Sequence, residues 1–119
     1  MTGLEYAILG LKHALDAPRR YGAWRGLVRN RMAGVRDALA GEEARGGDAW
    51  LTAREEGLLR ERDVLLRRLV HLGPLVLDTP DTELVRRDLQ RLLVDLERHC
   101  RRLNDLVYDS VSLEIGGSE

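Results

Sequence analysis

Between Val85 and Ser110 the chain repeats a step of four then three: Val85, Leu89, Leu92, Leu96, His99, Leu103, Leu106 and Ser110. Only His99 and Ser110 interrupt an apolar series. A strand turns every second side chain to the same face, so it cannot gather these positions, whereas a helix of 3.6 residues per turn sets them in one seam. Leu93, Cys100 and Val107 widen that seam into the broader stripe that a bundle core needs. A long helix with such a stripe is not stable by itself in water, so the rest of the chain has to supply other helices to cover it.

The remaining segments carry the same period. Leu4, Ile8, Leu11 and Leu15 make one face of a helix expected over 4–15, with Thr2 and Glu5 spaced as a capping box at its start. Tyr6, Leu9 and His13 form a second stripe on another face, which calls for a cover of its own. Asp16-Ala17-Pro18 is read as the stop of this helix and the start of the next, with Asp16 as N-cap of a helix over 17–40. Its stripe is Tyr21, Trp24, Val28, Met32 or Arg31, Val35 and Leu39. Gly22, Gly26 and Gly34 fall inside this expected helix and point to close helix–helix approach. Gly41 to Asp48 is a loop by its glycines and lack of apolar anchors. Leu51, Leu58, Leu65 and Leu72, joined by Leu69, define a third helix, capped by Asp48 or by Thr52 with Glu55, and expected to end at Gly73-Pro74. Thr79-Pro80 reads as N-cap and first position of the fourth helix, which runs to about Val111.

Composition agrees. There are 119 residues, the size of one domain, with no Phe, three Tyr and two Trp, so the core has to be aliphatic and leucine-rich. Short connections make consecutive helices antiparallel neighbours. The expectation is an all-α fold: a compact four-helix bundle, mostly antiparallel, with a short N-terminal helix and a long C-terminal one. Residues 1–111 form one helical domain, and 112–119 a flexible C-terminal tail.

Most chemistries leave no trace in this sequence. A di-iron bundle needs Glu three residues before His on a helix, but Gly10, Arg68 and Leu96 precede His13, His71 and His99. No Cys/His cluster offers a zinc site, and Cys100 stands alone, beside Arg101 and Arg102, as an apolar filler more than a redox thiol. Ser110, Ser112 and Ser118 sit late in the chain with no nucleophile elbow, and neither a phosphate-cradling loop nor a dinucleotide fingerprint is present. The expectation is therefore no catalytic residue, no metal and no cofactor. The N-terminus has no basic leader segment, and the apolar stretch from Leu4 to Leu11 is too short to span a bilayer, so a cytoplasmic protein without a membrane partner is expected.

Three groups of residues remain as candidates. Tyr6, Leu9 and His13, with Tyr21, Trp24 and Trp50, are the candidate interface, because an amphipathic helix with two apolar faces needs a partner and Trp and Tyr dominate binding hot spots. Glu55, Arg62, Asp95 and His99 are candidates for a polar core: His99 replaces an apolar residue of the seam with Asp95 one turn before it, and Glu55 and Arg62 share a heptad line with Leu69. The plainer reading is a hydrogen-bonded His that fixes register, with Glu55 and Arg62 in solvent. Arg19, Arg20, Arg25, Arg29, Arg31 and Arg36 form a basic patch with no acid between Ala17 and Arg36. Residues 48–119 carry eleven basic and fifteen acidic groups, so this patch has an internal counterpart as well as a possible phosphate backbone. Lys12 is the only lysine; codon usage in a GC-rich genome accounts for this better than recognition of phosphate or carboxylate, because the arginines lie along the whole chain.

The leading expectation is a non-enzymatic helical protein–protein interaction module: an adaptor, a homo-oligomer or a subunit of a larger assembly, with a protein partner or itself. The alternatives are a nucleic-acid-binding domain using the Arg-rich second helix, and a small helical enzyme with a site built from Glu55, Arg62, Asp95 and His99.

Overall fold

The computed structural model describes residues 2–18, 22–41 and 49–117, with side chains for 53–109 of the last stretch. It holds four helices: α1 Gly3–Asp16, α2 Ala23–Ala40, α3 Ala49–Asp78 and α4 Thr82–Gly117. No strand occurs among the described residues. Each helix packs on its neighbours in chain order, and α1 closes the ring against α4. Trp24 meets Leu15, Arg25 meets Val76, Arg68 meets Asp95 and Asn104 meets Glu5, so every adjacent pair runs antiparallel. The protein is a four-helix bundle with a short first helix and a long last one.

The seam on α4 follows its period as far as Leu106, with Leu103 half-buried and the side chain of Ser110 outside the described residues. Val85, Leu89, Leu92, Leu96, His99 and Leu106 are buried, with Leu93 and Cys100 beside them. Against them pack Leu4, Ile8, Leu11 and Leu15 of α1, Trp24, Val28, Met32, Val35 and Leu39 of α2, and Leu65, Leu69, Leu72 and Val76 of α3. This core takes α3 only from Leu65 and α4 only as far as Cys100. Beyond it, toward the far end of the α3–α4 hairpin, a small separate cluster joins Leu58 and Leu106 over Leu103. Helices of 30 and 36 residues are about 45 and 54 Å long at 1.5 Å per residue, which accounts for the 61 Å long axis of the molecule.

Several boundaries differ from those the sequence suggests. Helix α2 begins at Ala23, not Ala17. Ala17 precedes Pro18 and is extended (φ −70°, ψ 153°), as a residue before proline prefers, so it closes α1. Asp16 is the last residue of α1, where its carboxylate accepts from Arg86 Nη2 (3.0 Å), and it does not cap α2. Entry into α2 is set by Gly22, whose φ of +74° lies in the left-handed region that glycine adopts without strain.

Helix α3 does not stop at Gly73-Pro74 but runs through Pro74 to Asp78. Proline inside a helix forfeits one hydrogen bond and costs roughly 3 kcal/mol. Continuing carries the 4-3-4 spacing of Leu65, Leu69, Leu72 to Val76, which is fully buried. The helix end is also held from outside: Arg25 Nη1 donates to the Val76 and Leu77 carbonyls (3.0 and 3.1 Å), and Nη2 to that of Pro80 (3.5 Å). Next to Arg25, Trp24 Nε1 donates to the Leu15 carbonyl at the end of α1 (3.3 Å), which Arg86 Nε also reaches (3.2 Å). Two consecutive residues of α2 thus satisfy carbonyls at the ends of two other helices, groups that have no partner within their own helix.

The cap of α4 is Asp81 and not Thr79. Its Oδ1 accepts from the N–H groups of Glu83 and Leu84 (3.1 and 3.2 Å), the pattern of an N-cap carboxylate at the positive helix end. At the other end the α4 backbone is helical to Gly117, past Val111. The cap of α1 is where the sequence put it, with Glu5 N–H donating to Thr2 Oγ1 (3.2 Å). Gly26 and Gly34 face open space and mark no close approach. At Gly73 a Cβ would meet only the Arg29 guanidinium, the far end of a flexible side chain that can shift.

Candidate functional site

The one fully buried polar side chain among the described residues is His99. Its Nδ1 lies 2.8 Å from Glu61 Oε1 on α3. A carboxylate only accepts, so Nδ1 carries the proton. The other Glu61 oxygen accepts from Arg102 Nη1, one turn along α4. Asp95, expected as the partner of His99, binds elsewhere: Arg68 Nη1 donates to it across the helix pair at 2.6 Å, and Arg98 lies 3.8 Å away. A full positive charge on the facing helix wins that carboxylate over an imidazole on its own helix.

These contacts belong to a ladder along the α3–α4 interface. Arg54 pairs with Asp109 (2.7 Å), Glu61 with Arg102 and Arg68 with Asp95. Positions 54, 61 and 68 are seven apart on α3, and 95, 102 and 109 are seven apart on α4, with the sign of the middle rung reversed. The reversal encodes register. Sliding one helix by a heptad sets Arg54 against Arg102 and Glu61 against Asp95, or Glu61 against Asp109 and Arg68 against Arg102. Each slip replaces attraction with like-charge contacts, as opposite-sign flanks do in coiled coils. The alternating signs at this spacing were the signal in the sequence, and Glu61 and Arg102 are the residues that reading by single motifs overlooks.

Glu55 and Arg62 lie half-buried on α3, one position beyond the ladder line, and Arg62 Nη2 sits 3.5 Å from Asp63. Beside the middle rung a groove of about 290 Å³ is lined by Arg54, Gly57, Leu58, Glu61, Arg102 and Asp105. His99 is not on its wall. The imidazole lies behind Glu61 with no exposed surface, a position suited to orienting the carboxylate and fixing helix register.

The basic residues of α2 divide. Arg25 is committed to the end of α3, and the Arg29 guanidinium occupies the space where a side chain at Gly73 would begin. Arg31 turns the other way, its Cδ within van der Waals reach of Gly10 on α1, and Arg36 is exposed, 3.6 Å from Asp37. Arg19 and Arg20 lie outside the described residues. The described arginines therefore do not present one basic face.

The interface candidates also separate. Trp24 is buried in the core, 2% exposed, with its indole N–H bonded inside the chain, so it is withdrawn from any docking surface. Tyr21 and the side chain of Trp50 lie outside the described residues. Tyr6 is 64% and Leu9 38% exposed, and His13 is exposed beside them. Leu9 borders a groove of about 330 Å³ between α1 and α4, with Ile8 and Cys100 on its floor and Glu5, Lys12, Glu97 and Arg101 around it.

Among the described residues no group of three or more His, Cys, Asp or Glu is placed to hold a metal ion, and no helix is long and apolar enough to cross a membrane. Comparison with protein-family models, with curated proteins and with solved structures finds no match.

Proposed function

We propose that this chain is a non-enzymatic helical interaction module of the cytoplasm, which docks a helical protein surface against the outward face of α1. One observation carries the reading: α1 buries Leu4, Ile8, Leu11 and Leu15 on one side and leaves Tyr6 and Leu9 in water on the other. Aromatic and aliphatic groups on a rigid, capped helix next to a groove are what a helix-docking surface requires, because anchoring residues need neighbours that exclude water around them. The burial of His99 supports the same reading, since an imidazole without exposed surface cannot meet a substrate proton.

The test is capture of binding partners by the immobilised full chain from native lysate, run in parallel with Leu9→Arg. The expected result is a protein retained by the wild type, lost with Leu9→Arg and insensitive to salt between about 50 and 200 mM, where phosphate-driven binding falls by orders of magnitude. Retention that ignores Leu9→Arg, or a nucleic acid that elutes with salt, removes the reading.

A further inference from the structure

The groove between α1 and α4 repeats along its length. Beside Leu9 its floor is Ile8 and Cys100. Further along, a second hollow of about 310 Å³ is lined by Leu15, Leu93 and Val94. Ile8 and Leu15 are seven residues apart on α1, and Leu93 and Cys100 are seven apart on α4. Seven residues are two helical turns, about 10.5 Å. Lys12 and Glu97 line both hollows and bridge the two helices where they meet, 3.7 Å apart. Leu9 on one helix and Val94 on the other stand in water at the rims, 38% and 55% exposed.

The charges on these walls are unevenly committed. Glu5 accepts from Asn104 Nδ2 (3.0 Å), Asp16 accepts from Arg86 Nη2 (3.0 Å) and Glu97 faces Lys12. Each acid therefore has a partner within the chain. Arg101, exposed on the wall beside Cys100, has no hydrogen bond or ion pair among the described residues. The charge left unmatched along the groove is positive.

We infer that the groove takes an amphipathic helix of a partner protein, with apolar residues seven apart in the two hollows and acidic residues on the edge that passes Arg101. This occupant rests on the docking face proposed above, with which it shares Leu9, and adds the partner's chemistry. A helix presents side chains at i and i+7 on one face, at the same rise as the two hollows. A small molecule is instead held by a pocket that closes around most of it, whereas this groove has exposed rims. An acid opposite Arg101 gains a partner, and a base there meets a like charge.

Fluorescence anisotropy on the full chain tests this, with a labelled alanine-based helical peptide of about 18 residues, long enough to be helical in water. The probe carries two leucines seven apart and glutamates on both edges of that stripe. A second peptide has lysines in place of the glutamates, and circular dichroism confirms that each protein variant stays helical. The wild type is expected to bind the glutamate peptide about tenfold more tightly than the lysine peptide at low salt, and Arg101→Glu to reverse that order. Leu9→Arg and Val94→Asp each abolish binding, while Arg67→Glu, the same charge change at an exposed position on α3, leaves it unchanged. Equal binding of the two peptides, or an order that Arg101→Glu does not reverse, overturns the acidic partner. Binding lost with Leu9→Arg but indifferent to Val94→Asp overturns the seat between α1 and α4 and leaves the α1 face as the docking surface. Binding indifferent to Leu9→Arg removes the docking face as well. If neither peptide binds, the groove is no helix site, and the α1 face then stands or falls on Leu9-dependent capture from lysate.

Discussion

Removing the Glu61 carboxylate separates a buried polar contact from an exposed one within a single ladder. In Glu61→Ala, Arg102 loses a partner but is half in water, with 53% of its side chain exposed, so that loss adds less than about 1 kcal/mol. His99 has no exposed surface, and its Nδ1–H loses its acceptor, which costs about 1–3 kcal/mol. The sum is roughly 1–4 kcal/mol, a fall in Tm on the order of 10 °C for a domain of this size. Arg54→Ala breaks an outer rung whose two side chains are 37% and 41% exposed, and costs only ~0.2–1 kcal/mol. Urea unfolding followed at 222 nm measures both, with the slope against denaturant expected to be unchanged. The double variant Glu61→Ala with His99→Leu is the decisive comparison. Replacing both partners by apolar groups removes the orphaned donor, so the cost of losing Glu61 in the His99→Leu background drops by about 1–3 kcal/mol. If Glu61→Ala is no more costly than Arg54→Ala, or equally costly with and without His99, the assignment of the middle rung as a buried polar anchor is wrong.

Other expectations follow from the same structure. Leu89→Ala, at a fully buried seam position, destabilises by about 2–5 kcal/mol in the same urea assay, whereas Val70→Ala on the exposed face of α3 stays within ~0.5 kcal/mol. Asp81→Ala removes the acceptor for two N–H groups at the start of α4 and costs about 1 kcal/mol, while Thr79→Ala costs less, which a thermal melt of the pair resolves. Arg25→Ala frees carbonyls at the end of α3 and costs on the order of 1–2 kcal/mol, with amide exchange rising at Thr79, whose N–H donates to Leu75.

The buried imidazole also bears on enzyme-like readings of the chain. A histidine with an adjacent acid is often taken as acid–base machinery, but that chemistry needs the imidazole within hydrogen-bond reach of a substrate. Here the groove meets Glu61 and Arg102 first. The contact of His99 with Glu61 places one carboxylate, which also accepts from Arg102, at the rung where the ladder changes sign.

The helices themselves were legible because period is a local property. Leu4, Ile8, Leu11 and Leu15, the α2 stripe and the α4 seam each announce a face, and burial in the bundle falls on those faces. Which polar groups meet was not legible, because Glu61 and His99 are 38 residues apart and join only when α3 packs on α4. Proximity within one helix suggested Asp95 for His99, and the facing Arg68 overrode it. The same competition explains the helix ends. Pro74 is a local stop signal, yet burial of Val76 and the carbonyl bonds from Arg25 outweigh it. Trp24 could anchor a partner as readily as a core until the end of α1 was placed over it. The sequence by itself determined that leucine-faced helices form and must cover one another; only packing in three dimensions decided where they stop, which charges pair and which of the two α1 faces stays in water. The physical reason is that helix period depends on neighbours three and four residues away, while desolvation and charge pairing depend on whatever the fold brings near.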